Sequence, residues 1–358
     1  MRKPKKTITI DLTSYLQDGT YSLKAKTTGT GIKDSAFSSA VSCVVDTSVP
    51  PVGSAISCQV SGLGSENTSN VSFIKDADFT LAGLGITEET LNGNVFIKIP
   101  TMYRKIVSTN DDQITSFIIS NAQVDATYYP YPCFVDESGN TLPYVMIGKY
   151  QNKNSSGINS VASGSETTQD LATARTYARA LGTGYQLFDW MIQRLWQDLL
   201  ICFMETIDTN SGSGIDTDAL GINWNYSSSG MWVDGIIRGT TNYWWVSYKP
   251  SAYVSLSSTS DGIPTNYVAT NYMSPTSSGN IVKLGYDASQ PFVNYCSSAS
   301  GSTYTTYYCD RFYTSSGSRP FYSNVGNSYA IDGAFYSNVS YGWSLAGWVR
   351  LCYRPLSA

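Results

Sequence analysis

Only two stretches of this 358-residue chain carry a helical repeat, and they follow one another closely. In the first, Leu171, Ala174, Ala178 and Leu181 share one face, Thr167 or Thr168 stands where a cap is wanted, and Gly182 supplies the stop. The second runs from about Phe188 to Ile207 and turns Ile192, Leu195, Leu199 and Phe203 inward. Elsewhere the apolar residues alternate or come in short runs. Val95, Ile97 and Ile99 alternate up to Pro100, while Phe117-Ile118-Ile119 and Val145-Met146-Ile147 read as buried strands. After residue 208 the chain reads as short strands and loops. Two adjacent helices among many strands predict an α+β fold.

The N-terminal end has a different pattern. Ile8, Ile10 and Leu12 share one face, Tyr21, Leu23 and Ala25 another, and Val41, Cys43 and Val45 a third, with Asp18-Gly19 as a turn. Three short strands make about half a β-sandwich, and a sheet this small is marginal by itself. It is expected to pack on something, its own copies in an oligomer being one solution. Pro50-Pro51 and a run rich in Gly, Ser and Asn follow. The predicted organisation is a small β segment over 1–46, a linker over 47–70 and the main domain over 71–358.

Composition removes several functions. The chain has no histidine, which takes away the commonest general base, the Ser-His-Asp and Cys-His systems and most zinc sites. A net charge of −4 without a long basic run argues against nucleic acid as the partner. The seven cysteines are an odd number without CxxC spacing, so they read as small buried residues, with a Cys296–Cys309 bridge as the open alternative. The basic Met1–Lys6 stretch leads into polar alternation, so no secretory leader is expected. The most apolar window, Trp190 to Met204, is broken by Gln193, Arg194, Gln197 and Asp198 and reads as a buried helix, not a membrane span.

Catalytic and metal signals are weak. The acidic loop from Asp208 to Asp218 departs from the EF-hand pattern, with Gly212 at position five, Ser213 at six and Ala219 where a bidentate Glu is needed. The acids after Glu205 show no spacing that nominates a glycosidase pair. Arg175 and Arg179, at i and i+4, read as a solvated helix face. No enzyme activity, metal or cofactor is predicted.

The strongest signal is C-terminal. Residues 221–358 hold 27 of the 47 aromatics, and no Glu occurs after Glu205. Tyr304 to Tyr313, Phe321 to Asn324, Gly326 to Tyr329 and Tyr336 to Tyr341 are built mainly from Tyr, Ser, Asn, Gly and Thr. Tyrosine offers rigid, amphipathic area at little entropic cost, and Ser, Asn and Gly offer adaptable hydrogen bonding. That mixture suits a binding surface. A Tyr-lined plain sheet would alternate with Val and Ile, yet between residues 300 and 344 the β-branched aliphatics are only Val325, Ile331 and Val339.

The closing stretch, Gly333-Ala334-Phe335 through Ala346 and then Gly347-Trp348-Val349-Arg350-Leu351, resembles the C-termini of C-type-lectin-fold proteins diversified by retroelements. The order of two helices followed by Trp-rich strands (Trp224, Met231 to Gly235, Trp244-Trp245-Val246) is similar too. The resemblance spans residues 90–358 by architecture and about 326–351 by residues. It implies a diversity-generating-retroelement variable protein of the phage-tail tropism-determinant type, with a variable region at about 304–346. Such a protein is a homotrimer on the virion, made in the host cytoplasm, and binds a host-cell surface protein or glycan. It implies ligand contacts by Tyr308, Asp310, Tyr313, Tyr322, Asn324, Asn327, Tyr329, Asp332, Tyr336, Asn338, Tyr341 and Trp343, with Trp348, Leu351 and the second helix as scaffold. The Glu-Pro-Asn, Gln-Pro-Asp and Trp-Asn-Asp signatures of calcium-dependent lectins are missing, so calcium-dependent sugar binding does not follow. The first forty-five residues look similar to the end of an immunoglobulin-like or fibronectin-like domain. The alternatives are a bacterial surface ligand-binder of the same fold, or an enzyme, either a polysaccharide depolymerase or one like the formylglycine-generating enzymes, which use paired cysteines.

Overall fold

The structure is a computed structural model that describes residues 19–23, 41–45, 55–209, 219–224, 231–239, 241–253, 266–301, 307–314, 319–323, 335, 337–339 and 347–355. It divides into two compact units, Met1–Ser54 and Ala55–Ala358. In the first, β1 (Gly19–Leu23) pairs antiparallel with β2 (Val41–Val45), Tyr21 opposite Cys43. The strand expected at Ile8–Leu12 lies outside the described residues.

The second unit opens with β3 (Ser57–Ser61), β4 (Ser72–Lys75), β5 (Thr87–Leu91), β6 (Asn94–Pro100), β7 (Tyr103–Asn110), β8 (Gln113–Ser120), β9 (Tyr129–Pro130) and β10 (Tyr144–Gly148). Then come α1 (Leu171–Ala180), β11 (Tyr185–Leu187) and α2 (Trp190–Met204). The remainder is β12 (Met231–Arg238), β13 (Tyr243–Val246), β14 (Val268–Met273), β15 (Gly279–Leu284), β16 (Cys296–Ser300), β17 (Arg311–Thr314), β18 (Arg319–Ser323), β19 (Ser337–Val339) and β20 (Leu351–Tyr353). The α+β class holds, with two α-helices among the described residues.

Three sheets organise this unit, in the orders β4-β3-β8-β7-β9, β11-β20-β10-β6-β5 and β14-β13-β12-β18-β19-β17-β15-β16. The stretch read as linker is structured in part. In β3, Cys58 and Val60 are fully buried between polar neighbours, and the strand sits between β4 and β8.

The helix ends also differ from expectation. Asp170, not Thr167 or Thr168, caps α1, its carboxylate accepting from the Thr173 amide at 2.9 Å. Leu181 is the C-cap and exposed, and Gly182 follows at φ +122°. Asp189 caps α2 by accepting from the Ile192 amide at 3.0 Å. Every residue of α2 from Trp190 to Cys202 is buried, so the helix has no solvated face, whereas Phe203 is only half-buried against Phe79. Its polar residues are matched in part: Arg194 donates to Asp198, and Gln193 accepts from the Tyr295 hydroxyl at 3.1 Å. Buried charge is tolerated when paired. Among the described residues no helix is long and apolar enough to cross a membrane.

Candidate functional site

The Tyr-, Ser- and Asn-rich C-terminal strands enter the eight-stranded sheet side by side. β17 runs parallel to β19, with Tyr313 opposite Asn338, and β18 runs antiparallel to β19, with Tyr322 opposite Asn338. On the far side of β18, Trp232 of β12 is opposite Tyr322. Tyr313, Asn338 and Tyr322 therefore occupy one register row across three strands, anchored at one end by a buried Trp.

The row rests on a closed framework. The last strand, β20, lies between β10 and β11, with Leu351 opposite Leu187 and Tyr353 opposite both Met146 and Tyr185. Arg350 donates through Nη1 to the Gly148 and Lys149 carbonyls (2.6 and 3.0 Å) and through Nη2 to the Asn223 carbonyl (2.8 Å), and lies 4.2 Å from the centre of the Trp224 ring. Trp348 and Leu351 are buried, as scaffold residues should be.

The segment leading into β17 is framework as well, which corrects two of the predicted contacts. Tyr308 is buried, accepts from Gln113 Nε2 at 2.6 Å and meets Phe335 edge-on with ring centres 5.5 Å apart. Burial pushes its phenol above the ordinary range. Asp310 is 1% exposed, and its carboxylate accepts from the Phe335 amide at 2.7 Å. Neither side chain faces solvent. Tyr307 and Cys309 hold left-handed φ values of +57° and +56°, which cost a non-glycine residue roughly 1–2 kcal/mol each. Tyr313 is half-buried and accepts from Arg311 Nη1 at 2.6 Å. Tyr322 and Asn338 are placed by backbone register. Asn324, Asn327, Tyr329, Asp332, Tyr336, Tyr341 and Trp343 lie outside the described residues, as do residues 210–218 of the acidic loop.

A separate cleft of about 700 Å³ lies between α1, the loop 182–187 and the turn 250–253. Arg175, expected on a solvated face, is buried at its floor and forms a bidentate pair with Asp234, at 2.7 Å from Nε and 2.5 Å from Nη2. Burial lowers the Arg175 pKa, but the adjoining carboxylate more than offsets this and the net shift is upward. Arg354 Nη2 donates to Asp189 at 2.7 Å, and the Tyr253 hydroxyl donates to the same oxygen at 3.1 Å. Burial raises the Asp189 carboxyl despite Arg354. Arg179 is exposed and ties down the 250–253 turn through its carbonyls, the nearest being Tyr253 at 3.1 Å. No spacing in the sequence could reveal that Arg175 pairs with a residue 59 positions away.

Cys58, Cys133, Cys202, Cys296, Cys309 and Cys352 are all free and buried, so Cys296 and Cys309 form no bridge. Among the described residues no cluster of three or more His, Cys, Asp or Glu side chains could hold a metal. A scan against protein-family models and a search of curated proteins both find no match to this chain.

Proposed function

We propose that the chain is a phage tail-tip receptor-binding protein whose second unit is a C-type-lectin-like domain displaying a Tyr-, Asn- and Ser-rich face to host-surface ligands. The observation that carries this reading is the register row Tyr313–Asn338–Tyr322, which gathers three predicted contact residues, far apart in sequence, on adjacent strands. The buried frame of α2, Trp348 and β20 supports it, since a variable face needs a scaffold that its substitutions do not disturb. The contact set is Tyr313, Tyr322, Asn324, Asn327, Tyr329, Asp332, Tyr336, Asn338, Tyr341 and Trp343.

The mechanism is adhesion. Tyrosine rings supply area and stacking, the Asn and Asp side chains supply hydrogen bonds, and three copies in a homotrimer supply avidity. Deep sequencing of the gene from its source population tests the diversified face. Substitutions confined to about residues 304–346, at codons one adenine change from Asn, support it. Changes spread evenly along the chain refute it.

A further inference from the structure

A second site is suggested by a charge imbalance inside the protein. Arg104, Arg194 and Asp198 are all at least 98% buried, and both arginines pair with Asp198. Asp198 accepts from Arg194 Nη2, lies 3.2 Å from Arg104 Nε, and accepts from the Tyr131 hydroxyl at 2.8 Å. Two guanidiniums thus share one carboxylate. Among the described residues Arg104 Nη1 reaches only the Pro291 carbonyl, at 3.4 Å, and Arg104 Nη2 and Arg194 Nε and Nη1 have no acceptor. The guanidiniums lie over the Phe117 and Phe335 rings, at 4.6 and 5.6 Å from their centres, which offsets the excess charge only in part. Among the described residues no second carboxylate pairs with either arginine. Asp287 spends its oxygens on the Asn271 amide and on the Ser289 amide and hydroxyl. An unmatched buried charge is costly.

Arg104 also lines a cavity of about 390 Å³. Its walls include the rings of Tyr129, Tyr286 and Phe292, with Pro291 beside them and the exposed residues Thr127 and Ala288 at the rim. Near that rim Asp125 is already matched by Lys105 at 3.5 Å. A buried arginine beside aromatic walls fits a small ring bearing one carboxylate. We propose that this cavity binds an acidic monosaccharide unit of the uronic-acid class, its carboxylate answering the excess charge at Arg104 and its ring lying against Tyr129, Tyr286 and Phe292. The site lies outside the predicted variable region and stands whether or not the receptor reading holds.

Isothermal titration calorimetry of the full chain with glucuronate, and with glucose as the neutral analogue, tests it. Glucuronate is expected to bind at least tenfold more tightly than glucose. Ala288→Glu puts a negative charge on the rim at an exposed position and should weaken glucuronate at least tenfold with an unchanged melting temperature. Arg104→Met leaves Asp198 paired with Arg194 and should abolish binding while the protein stays folded. Equal affinities for glucuronate and glucose, no heat with either, or undiminished binding by Ala288→Glu would overturn the assignment.

Discussion

Replacing Asp234 with Asn should be among the most damaging single changes in the second unit. Asp234 is 2% exposed and Arg175 6%, and the two are joined side-on through Nε and Nη2. The Asp234 carboxylate also accepts from the Gly235 amide at 2.7 Å. Asn keeps the shape and one acceptor oxygen but strands a buried guanidinium without its counter-charge. Breaking a buried pair from one side costs about 3–5 kcal/mol, and the retained oxygen places Asp234→Asn near the lower figure. The double variant Arg175→Met/Asp234→Leu removes both charges and should recover most of the loss, because apolar replacements of buried pairs are often close to neutral. Urea unfolding followed by tryptophan fluorescence gives all three midpoints, with the slope as a check that the unfolded state is unchanged. The loss should persist in 1 M NaCl, since buried pairs are little screened. A loss under about 1 kcal/mol for Asp234→Asn, or a double variant no more stable than Asp234→Asn, would refute the reasoning.

Other expectations follow from the same geometry. Gly235 sits at φ +71° where β12 bulges, and a Cβ there would come within 2.4 Å of the Tyr253 ring. Gly235→Ala should therefore cost at least about 2 kcal/mol in the same urea assay. Asp170→Ala removes only the cap of α1 and should cost about 1 kcal/mol. Burial pushes the thiols of Cys133, Cys202, Cys296 and Cys352 upward and that of Cys309 up to about 12. Iodoacetamide at pH 8 should leave these five unlabelled in the native protein and label them after denaturation, as read by peptide mass spectrometry. Because their folded pKa values are raised, their stability contribution is complete below the unfolded thiol value of about 8.5 and is lost as pH rises toward the folded values. A melting temperature that climbs between pH 8.5 and 10 would contradict that sign.

What the sequence revealed depended on how local the signal was. The cores of both helices were legible because Ile192, Leu195 and Leu199, like Leu171, Ala174 and Ala178, repeat within a few turns. The caps were not, since Thr167, Thr168 and Asp170 are all competent and tertiary context chose Asp170. β3 was missed because it presents just two apolar side chains, Cys58 and Val60, and draws its stability from strands that arrive later in the chain. Arg175 looked solvated because a charge shows its partner only in three dimensions. At the candidate face, composition could not separate buried framework from more accessible side chains. Tyr308 and Phe312 are buried while Tyr313 is half-buried, and the same amphipathic side chain serves both purposes.

The most direct test of the adhesion account is cell binding by a variant in which the register row alone is erased. Fluorescent wild-type protein and Tyr313→Ala/Tyr322→Ala/Asn338→Ala are compared by flow cytometry on bacteria from the source community, with matched melting temperatures as the folding control. The account predicts that wild type stains a distinct subset of cells and that the triple variant loses that staining by tenfold or more. Equal staining by the two proteins would contradict it and would move the contact face elsewhere on the molecule.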